Sequence, residues 1–183
     1  MYLQTERLIL RNFNDNDLDY FFTYRNDPDV AKYQGWGIPY PREKAEKFVS
    51  SMKDKFAPKQ GDWIQFAVAL KETDELVGDI GCYVKKDDIR QSVIGFAIAS
   101  KYWRRGYAVE IIPCLLDYLF EDMDMHRVSA DCDVENVASY RTLEKLGFRR
   151  EAHFIESFLF NGLYTSEYHY GFLQREWREK LKG

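Results

Sequence analysis

Between Ile94 and Phe148 the sequence runs without interruption through an apolar strand and the loop Trp103-Arg104-Arg105-Gly106-Tyr107-Ala108. An amphipathic helix, a further strand and an Asn-started helix closing in Leu146-Gly147-Phe148 follow. This order constrains the fold more than any other feature. A glycine loop that feeds a helix presents unpaired backbone N–H groups at the positive end of the helix dipole, and together these hold an anion. The loop therefore points to a phosphate-bearing ligand. Arg104 and Arg105 are the flanking cations, and Gly106, Tyr107 and Ala108 supply main chain.

The rest of the pattern is regular. Residues 7–12 form a strand, and Asn14-Asp15-Asn16-Asp17 offers an N-cap with an acid in the first turn of a helix running to about Arg25. Asn26-Asp27-Pro28 stops that helix, because proline disfavours helical geometry in the residue before it. Residues 29–40 are mostly loop, crowded with Tyr33, Trp36 and Tyr40. A helix from Pro41 or Arg42 then carries Ala45, Phe48, Val49 and Met52 on one face. Trp63–Leu70 and Leu76–Val84 are strands joined as an antiparallel hairpin by the link at 71–75. A strand over 93–99 follows. The next helix places Ile112, Leu115, Leu116, Leu119 and Phe120 at one-face spacing, and Pro113 predicts a distorted start or a bend. Arg127–Asp133 is a strand, and Asn136 opens a helix carrying Ala138, Leu143 and Leu146 that ends at Gly147. Residues 150–160 and 164–172 make a last hairpin around a type I′ turn at Asn161-Gly162. The order β-α-α-β-β-β-α-β-α-β-β, with a short terminal helix, is an α+β fold, and residues 1–183 are expected to form one domain.

Bulk properties exclude several classes. With 26 basic and 30 acidic side chains the net charge is −4, so nothing drives the chain generally toward nucleic acid or an anionic membrane. No apolar run approaches the roughly 20 residues of a membrane span, and Glu6 and Arg7 interrupt the N-terminus too early for a signal peptide. Cys82, Cys114 and Cys132 have no CxxC spacing, and His126, His153 and His169 have no metal-ligand spacing. Neither a disulfide framework nor a metal site is suggested, and a cytoplasmic protein is expected. The aromatic share of 16% is high and suits a wide core and an aromatic-walled cleft.

The strings Ile94-Gly95-Phe96, Tyr102-Trp103-Arg104-Arg105-Gly106-Tyr107-Ala108-Val109-Glu110, Met125-His126-Arg127-Val128, Asn136-Val137-Ala138-Ser139 and Leu143-Glu144-Lys145-Leu146-Gly147-Phe148 carry a likeness in their joint order and spacing. They resemble the GNAT superfamily of acetyl-CoA-dependent N-acetyltransferases. More narrowly they look like the branch that acetylates the N-termini of ribosomal proteins. Residues 5–11 and the last hairpin extend the likeness over nearly the whole chain. The resemblance implies a central, mostly antiparallel sheet, flanked by helices and splayed between the fourth and fifth predicted strands, 93–99 and Arg127–Asp133. The pantetheine arm of acetyl-CoA would lie in that splay. It implies donor contacts from Phe96, Ala97 and Ile98, from Arg104, Arg105, Gly106, Tyr107 and Ala108, and from Asn136 and Ser139. The sequence also departs from the family pattern. Trp103 replaces the usual Gln or Arg, and Arg104 stands where relatives with that Trp carry glycine. Leu143 replaces a Tyr acid, while Val93 and Ser166 stand where acidic residues are common.

A primary amine with a pKa of about 8 to 10 is mostly protonated at neutral pH, so a base must take a proton before it attacks. The candidates are Glu110 and Glu156, with His153 and Glu151 beside the latter. Strand alternation puts positions 154, 156 and 158 on one face; if that face meets the cleft, Glu156 is the better base, acting through water. By the resemblance, Ser139 donates a hydrogen bond to the departing thiolate. Asn136 as a plain helix cap and Ser139 bonded to backbone are the simpler alternatives. By the resemblance, the aromatic cluster from Tyr33 to Tyr40 lies in the segment that borders the acceptor cleft, where Tyr33 and Trp36 would line the substrate site; a lid on the core is the simpler alternative. The expected activity is metal-free transfer of acetyl from acetyl-CoA to a primary amine, either a protein or peptide N-terminus or a small molecule. A polyamine acceptor, which an acidic cleft would support, and a catalytically silent CoA-binding sensor are the alternatives. The aromatic-rich last hairpin would suit a homodimer.

Overall fold

The computed structural model describes residues 2–55, 57–160 and 162–182. Their strands form one sheet: β1 (Tyr2–Gln4), β2 (Leu8–Arg11), β3 (Trp63–Leu70), β4 (Leu76–Val84), β5 (Gln91–Ile98), β6 (Arg127–Asp133), β7 (Arg149–Phe160) and β8 (Leu163–Leu173). The order across the sheet is β1-β2-β3-β4-β5-β6-β8-β7. Neighbours are antiparallel except β5 and β6. The helices are α1 (Asp17–Arg25), α2 (Pro28–Ala31), α3 (Arg42–Lys53), α4 (Tyr107–Asp117), α5 (Val137–Leu146) and α6 (Gln174–Lys180). β3 and β4 are buried along nearly their whole length regardless of side-chain direction, because helices cover both faces of the sheet. The helices α1 and α3 pack on each other and on β4 and β3, while α4 packs on β1, β2, β5 and α5. Ile111, Ile112, Leu115 and Leu116 of α4 are fully buried, each stabilising the fold by about 1.5–3 kcal/mol.

The feature that positions the site is where the sheet fails to close. The parallel ladder between β5 and β6 holds only for Gln91↔Arg127, Ser92↔Val128 and Val93↔Ser129. At its end the Ser129 hydroxyl donates to the Ser92 carbonyl at 3.1 Å. Beyond Val93, β5 stays paired with β4 as far as Ile98 and β6 stays paired with β8 as far as Asp133. A wedge opens between them, and backbone groups of β5 that would bond to a neighbouring strand face it instead.

Several elements differ from the sequence-based expectation. β1 exists because it pairs with β2 across residues 5–7, a contact that three residues of local pattern do not announce. Asp27-Pro28 ends α1 but also starts α2: the Asp27 carboxylate accepts from the Asp29 N–H at 2.9 Å and Pro28 sits at the first helical position, where its missing N–H costs nothing. Asp17 is the first-turn acid of α1 that the sequence implies. It is buried and takes both ends of the Arg11 guanidinium, at 2.7 and 2.9 Å. The helix runs as α through Pro113 to Asp117, and the departure comes later, as a wide π turn over Tyr118–Asp122. In the last hairpin Asn161 lies outside the described residues, while Gly162 has φ 81°.

Candidate active site

Gly106 has φ 79° and ψ 7° as the residue that caps α4, a left-handed geometry that glycine adopts without strain. Arg104 has φ 61°, which costs a residue with a Cβ about 1–2 kcal/mol. The loop thus keeps a glycine-like conformation at a position filled by arginine. The first intrahelical bond of α4 runs from the Glu110 N–H to the Gly106 carbonyl at 3.0 Å. The N–H groups of Tyr107, Ala108 and Val109 therefore precede any helical partner. These residues, with Arg104 and Gly106, line a cavity of about 540 Å³ whose other walls include Phe96, Ala97, Ile98 and Trp103. Asn136, Val137, Ala138 and Ser139 close it from the start of α5.

Arg105 is not among its lining residues. Its guanidinium lies 5.4 Å from the centre of the Tyr102 ring, and its carbonyl accepts from Arg7 Nη2 at 3.0 Å. Arg7 in turn binds Glu110, through its N–H at 2.9 Å and Nε at 2.7 Å, and the Thr5 hydroxyl adds a third bond at 2.6 Å. Burial alone would raise the Glu110 carboxyl pKa, but these bonds outweigh it and hold the group below its ordinary range. Glu110 is a brace between β2 and the loop.

A second cavity, of about 590 Å³, opens on the sheet side of the wedge. Val93, Ile94 and Gly95 of β5, residues 130–133 of β6, Thr165 and Glu167 of β8, and Phe158 and Phe160 of β7 line it, with Trp36, Phe48 and Trp63. Tyr33, Gln34, Phe96, Asn136 and Ser139 line both cavities, so the two meet in the wedge. Asn136 is also a helix cap, its Oδ1 accepting from the Ser139 N–H at 3.2 Å. Cys132 beside Ser139 is a thiol, pushed up to about 11 by burial, with the Ser139 hydrogen bond opposing that shift. Leu143 is fully buried against this cavity.

Charge is concentrated at the floor and along one wall. Asp79 is fully buried and accepts from Arg25 Nη2 at 3.0 Å, from the Tyr24 hydroxyl and from the Gln65 amide. The Gln65 oxygen accepts from Trp63 Nε1 at 2.6 Å. Trp36 covers the pair: its ring centre is 3.5 Å from the Arg25 guanidinium carbon, and its Nε1 donates to the Arg25 carbonyl at 3.0 Å. Along the β6–β8 wall stand Asp131, Asp133 and Glu167. Burial, reinforced by Asp131, raises the Glu167 carboxyl above its ordinary pKa.

Of the residues singled out from sequence, Tyr33, Trp36, Phe96, Ala97, Ile98, Arg104, Gly106, Tyr107, Ala108, Asn136 and Ser139 line one or both cavities. Glu156 does not. The β7–β8 register shifts between Phe154 and Phe158, Glu156 sits there at φ 47° with its N–H donating to Ser166 Oγ at 3.0 Å, and its side chain is exposed. The alternation assumed for 154, 156 and 158 is broken by this bulge. Arg25, Gln65, Asp79, Asp131, Asp133 and Glu167 escaped sequence reasoning. A signal for one of them existed, since Asp79 interrupts the apolar run Leu76–Val84 and a charge in such a strand needs a partner.

Among the described residues no helix is long and apolar enough to cross a membrane. The sequence is 34% identical to the uncharacterized N-acetyltransferase YnaD of Bacillus subtilis (strain 168) over 177 residues, 97% of this chain and 99% of that protein. The crystal structure of a GNAT-family acetyltransferase from Bacillus anthracis matches with a TM-score of 0.86 at 33% identity, covering 96% of this chain and 100% of that one. The spermidine N(1)-acetyltransferase of Vibrio cholerae is 32% identical over 75 residues, 41% of this chain and 43% of that protein. The acetyltransferase (GNAT) domain family matches residues 7–149, a span that contains the wedge, the loop and the Asn136–Ser139 turn: the chain belongs to the GNAT family and is an acetyl-CoA-dependent acetyltransferase.

Proposed function

We propose that acetyl-CoA occupies the loop-side cavity and that a primary amine carrying positive charge enters from the sheet-side cavity. The observation that carries this reading is the shared lining of Tyr33, Gln34, Phe96, Asn136 and Ser139. A thioester extended from one cavity meets a nucleophile from the other only there. The diphosphate of the donor takes the Tyr107, Ala108 and Val109 amides and the Arg104 cation. Pantetheine follows the unpaired edge of β5, whose amides near Phe96 to Ile98 also stabilise oxyanion charge on the acetyl carbonyl. The Ser139 hydroxyl donates to sulfur as the thiolate leaves.

The acceptor's charge follows from the wall that faces it. Asp131, Asp133 and Glu167 set a negative potential, and the same lining contains the aromatic rings of Trp36, Trp63 and Phe158, residues of a type that attracts an ammonium. Arg25, the basic side chain at the floor among the described residues, is already paired with Asp79. A small cationic amine or a basic peptide N-terminus fits this cavity, and the partial likeness to spermidine N(1)-acetyltransferase supports a polyamine within that class. Thiol release from acetyl-CoA tests the reading on a panel of spermidine, n-butylamine, an amino sugar and Ser-headed peptides of basic and acidic sequence. The expected result is the highest kcat/KM for the cationic acceptors, falling with added salt. Binding of CoA without acceleration by any amine would instead make the chain a CoA-binding sensor.

A further inference from the structure

The geometry points to Glu167 of β8 as the catalytic base, a role that rests on the sheet-side cavity being the acceptor site. The argument begins with what the other carboxylates are doing. Glu110 is held by Thr5 and Arg7, and Asp79 by Tyr24, Arg25 and Gln65. Asp133 accepts from the Glu135 N–H at 2.7 Å, Asp131 is exposed to solvent, and Glu156 lies outside both cavities. Among the described residues, Glu167 alone is a carboxylate half-buried in the acceptor wall without a strong donor on its oxygens: Ser157 Oγ is 3.4 Å away and His169 Nε2 is 4.0 Å away.

Its surroundings suit proton transfer. From β6, Asp131 and Asp133 face it, the latter directly opposite in register; from β7, Ser157 approaches, and His169 lies on its own strand. Burial and the two aspartates raise its pKa, while His169 and Ser157 act the other way. The net upward shift brings a carboxylate closer to the ammonium it must deprotonate, and Brønsted behaviour rewards that match.

The step balances. An ammonium R–NH3+ gives one proton to a Glu167 oxygen, and the freed lone pair forms the N–C bond to the thioester carbonyl carbon while the C=O pair moves to oxygen. Collapse breaks the C–S bond and leaves its electron pair on sulfur. The second nitrogen proton passes to the thiolate, which Ser139 hydrogen-bonds, and Glu167 returns its proton to solvent. The sum is ammonium plus acetyl-CoA giving amide, CoA thiol and one proton.

Steady-state kinetics on the full chain test this, with whichever of spermidine, n-butylamine or a Ser-headed peptide the wild type acetylates, across about pH 6 to 10. Glu167→Gln should lower kcat/KM for the amine on the order of 100-fold near neutral pH, and the deficit should shrink toward high pH, where the ammonium loses its proton without help. Acetyl-CoA affinity by calorimetry and the melting temperature should hold, and Glu167→Asp should recover part of the rate. A variant within about threefold of wild type, or a deficit that does not change with pH, overturns the assignment while leaving the acceptor site standing. Should Glu167→Gln fail to fold, the pH profile of Glu167→Asp decides: an acid limb of kcat/KM that moves with the new carboxylate supports the assignment, and one unmoved from the wild type's overturns it. Wild-type protein that acetylates none of the amines overturns both the base and the acceptor reading.

Discussion

The loop-side cavity draws on two short stretches of chain, 96–109 and 135–142, with a few residues from 29–34, and its chemistry is largely main chain: the first-turn amides of α4 and the open edge of β5. The sheet-side cavity is assembled from side chains on α1, the 33–36 segment, α3, α5 and the strands β3 through β8. The difference teaches where specificity resides. Backbone amides recognise a diphosphate and a thioester in the same way whatever the side chains, so the donor site tolerates Trp103 and Arg104. The acceptor site has no such invariance, because each charge in it is placed by a separate tertiary contact.

That contrast is broken or sharpened most strongly at Asp79. Asp79→Ala leaves the Arg25 guanidinium buried without its counter-charge and removes an acceptor from Tyr24 and Gln65, which should cost about 3–5 kcal/mol in thermal or urea unfolding. In the protein that remains folded, KM for the amine should rise because Trp36 rests on Arg25, while acetyl-CoA affinity stays. Equal losses at both sites would show that the two cavities are not independent. Ser139→Ala acts at their junction. A hydrogen bond to a charged partner is worth about 1.5–3 kcal/mol, so kcat should fall on the order of 10- to 100-fold with little change in CoA affinity. A variant that loses affinity but not turnover would make Ser139 a donor-binding residue only. The pH dependence is a gentler probe. The base must be ionised to work and Glu167 is raised, so the acid limb of kcat/KM should climb with pH through a value above the ordinary carboxylate range.

The same contrast explains what was legible in the sequence. The loop, the Asn136 cap and the Gly147 stop are local: each depends on a few residues in order, and strand and helix periodicity places them to within a residue or two, whereas the wedge, set by pairing of residues 91–93 with 127–129, is implied only by the family resemblance. The proposed base is not local. Glu156 faces the cleft only if β7 alternates without a fault, and the bulge between Phe154 and Phe158 shifts the register there, placing Phe158 and Thr165 in the cavity wall and Glu156 outside it. Glu167 reaches the site only because β8 pairs with β6 across residues far apart in sequence. Arg25 and Asp79 are 54 residues apart, and no periodicity links them.

The smallest effects are expected in the donor loop, where side chains matter least. Arg104 holds φ 61°, which costs about 1–2 kcal/mol, whereas glycine there gives up only about 0.5–1 kcal/mol in unfolded-chain freedom. Arg104→Gly should therefore be more stable than Arg104→Ala by about 0.5–1 kcal/mol, as melting temperatures will show. Both variants lose the guanidinium, an exposed cation whose pairing with a phosphate is worth up to about 1 kcal/mol, so each should bind CoA up to about fivefold more weakly. Wild-type affinity in Arg104→Gly would leave the amides as the whole anion site. Arg105→Ala should barely change affinity, since that guanidinium lies over Tyr102 away from the cavity lining. A loss there equal to that of Arg104→Ala would mean that the loop attracts the diphosphate by diffuse positive charge, and the main-chain account of the donor site would fail.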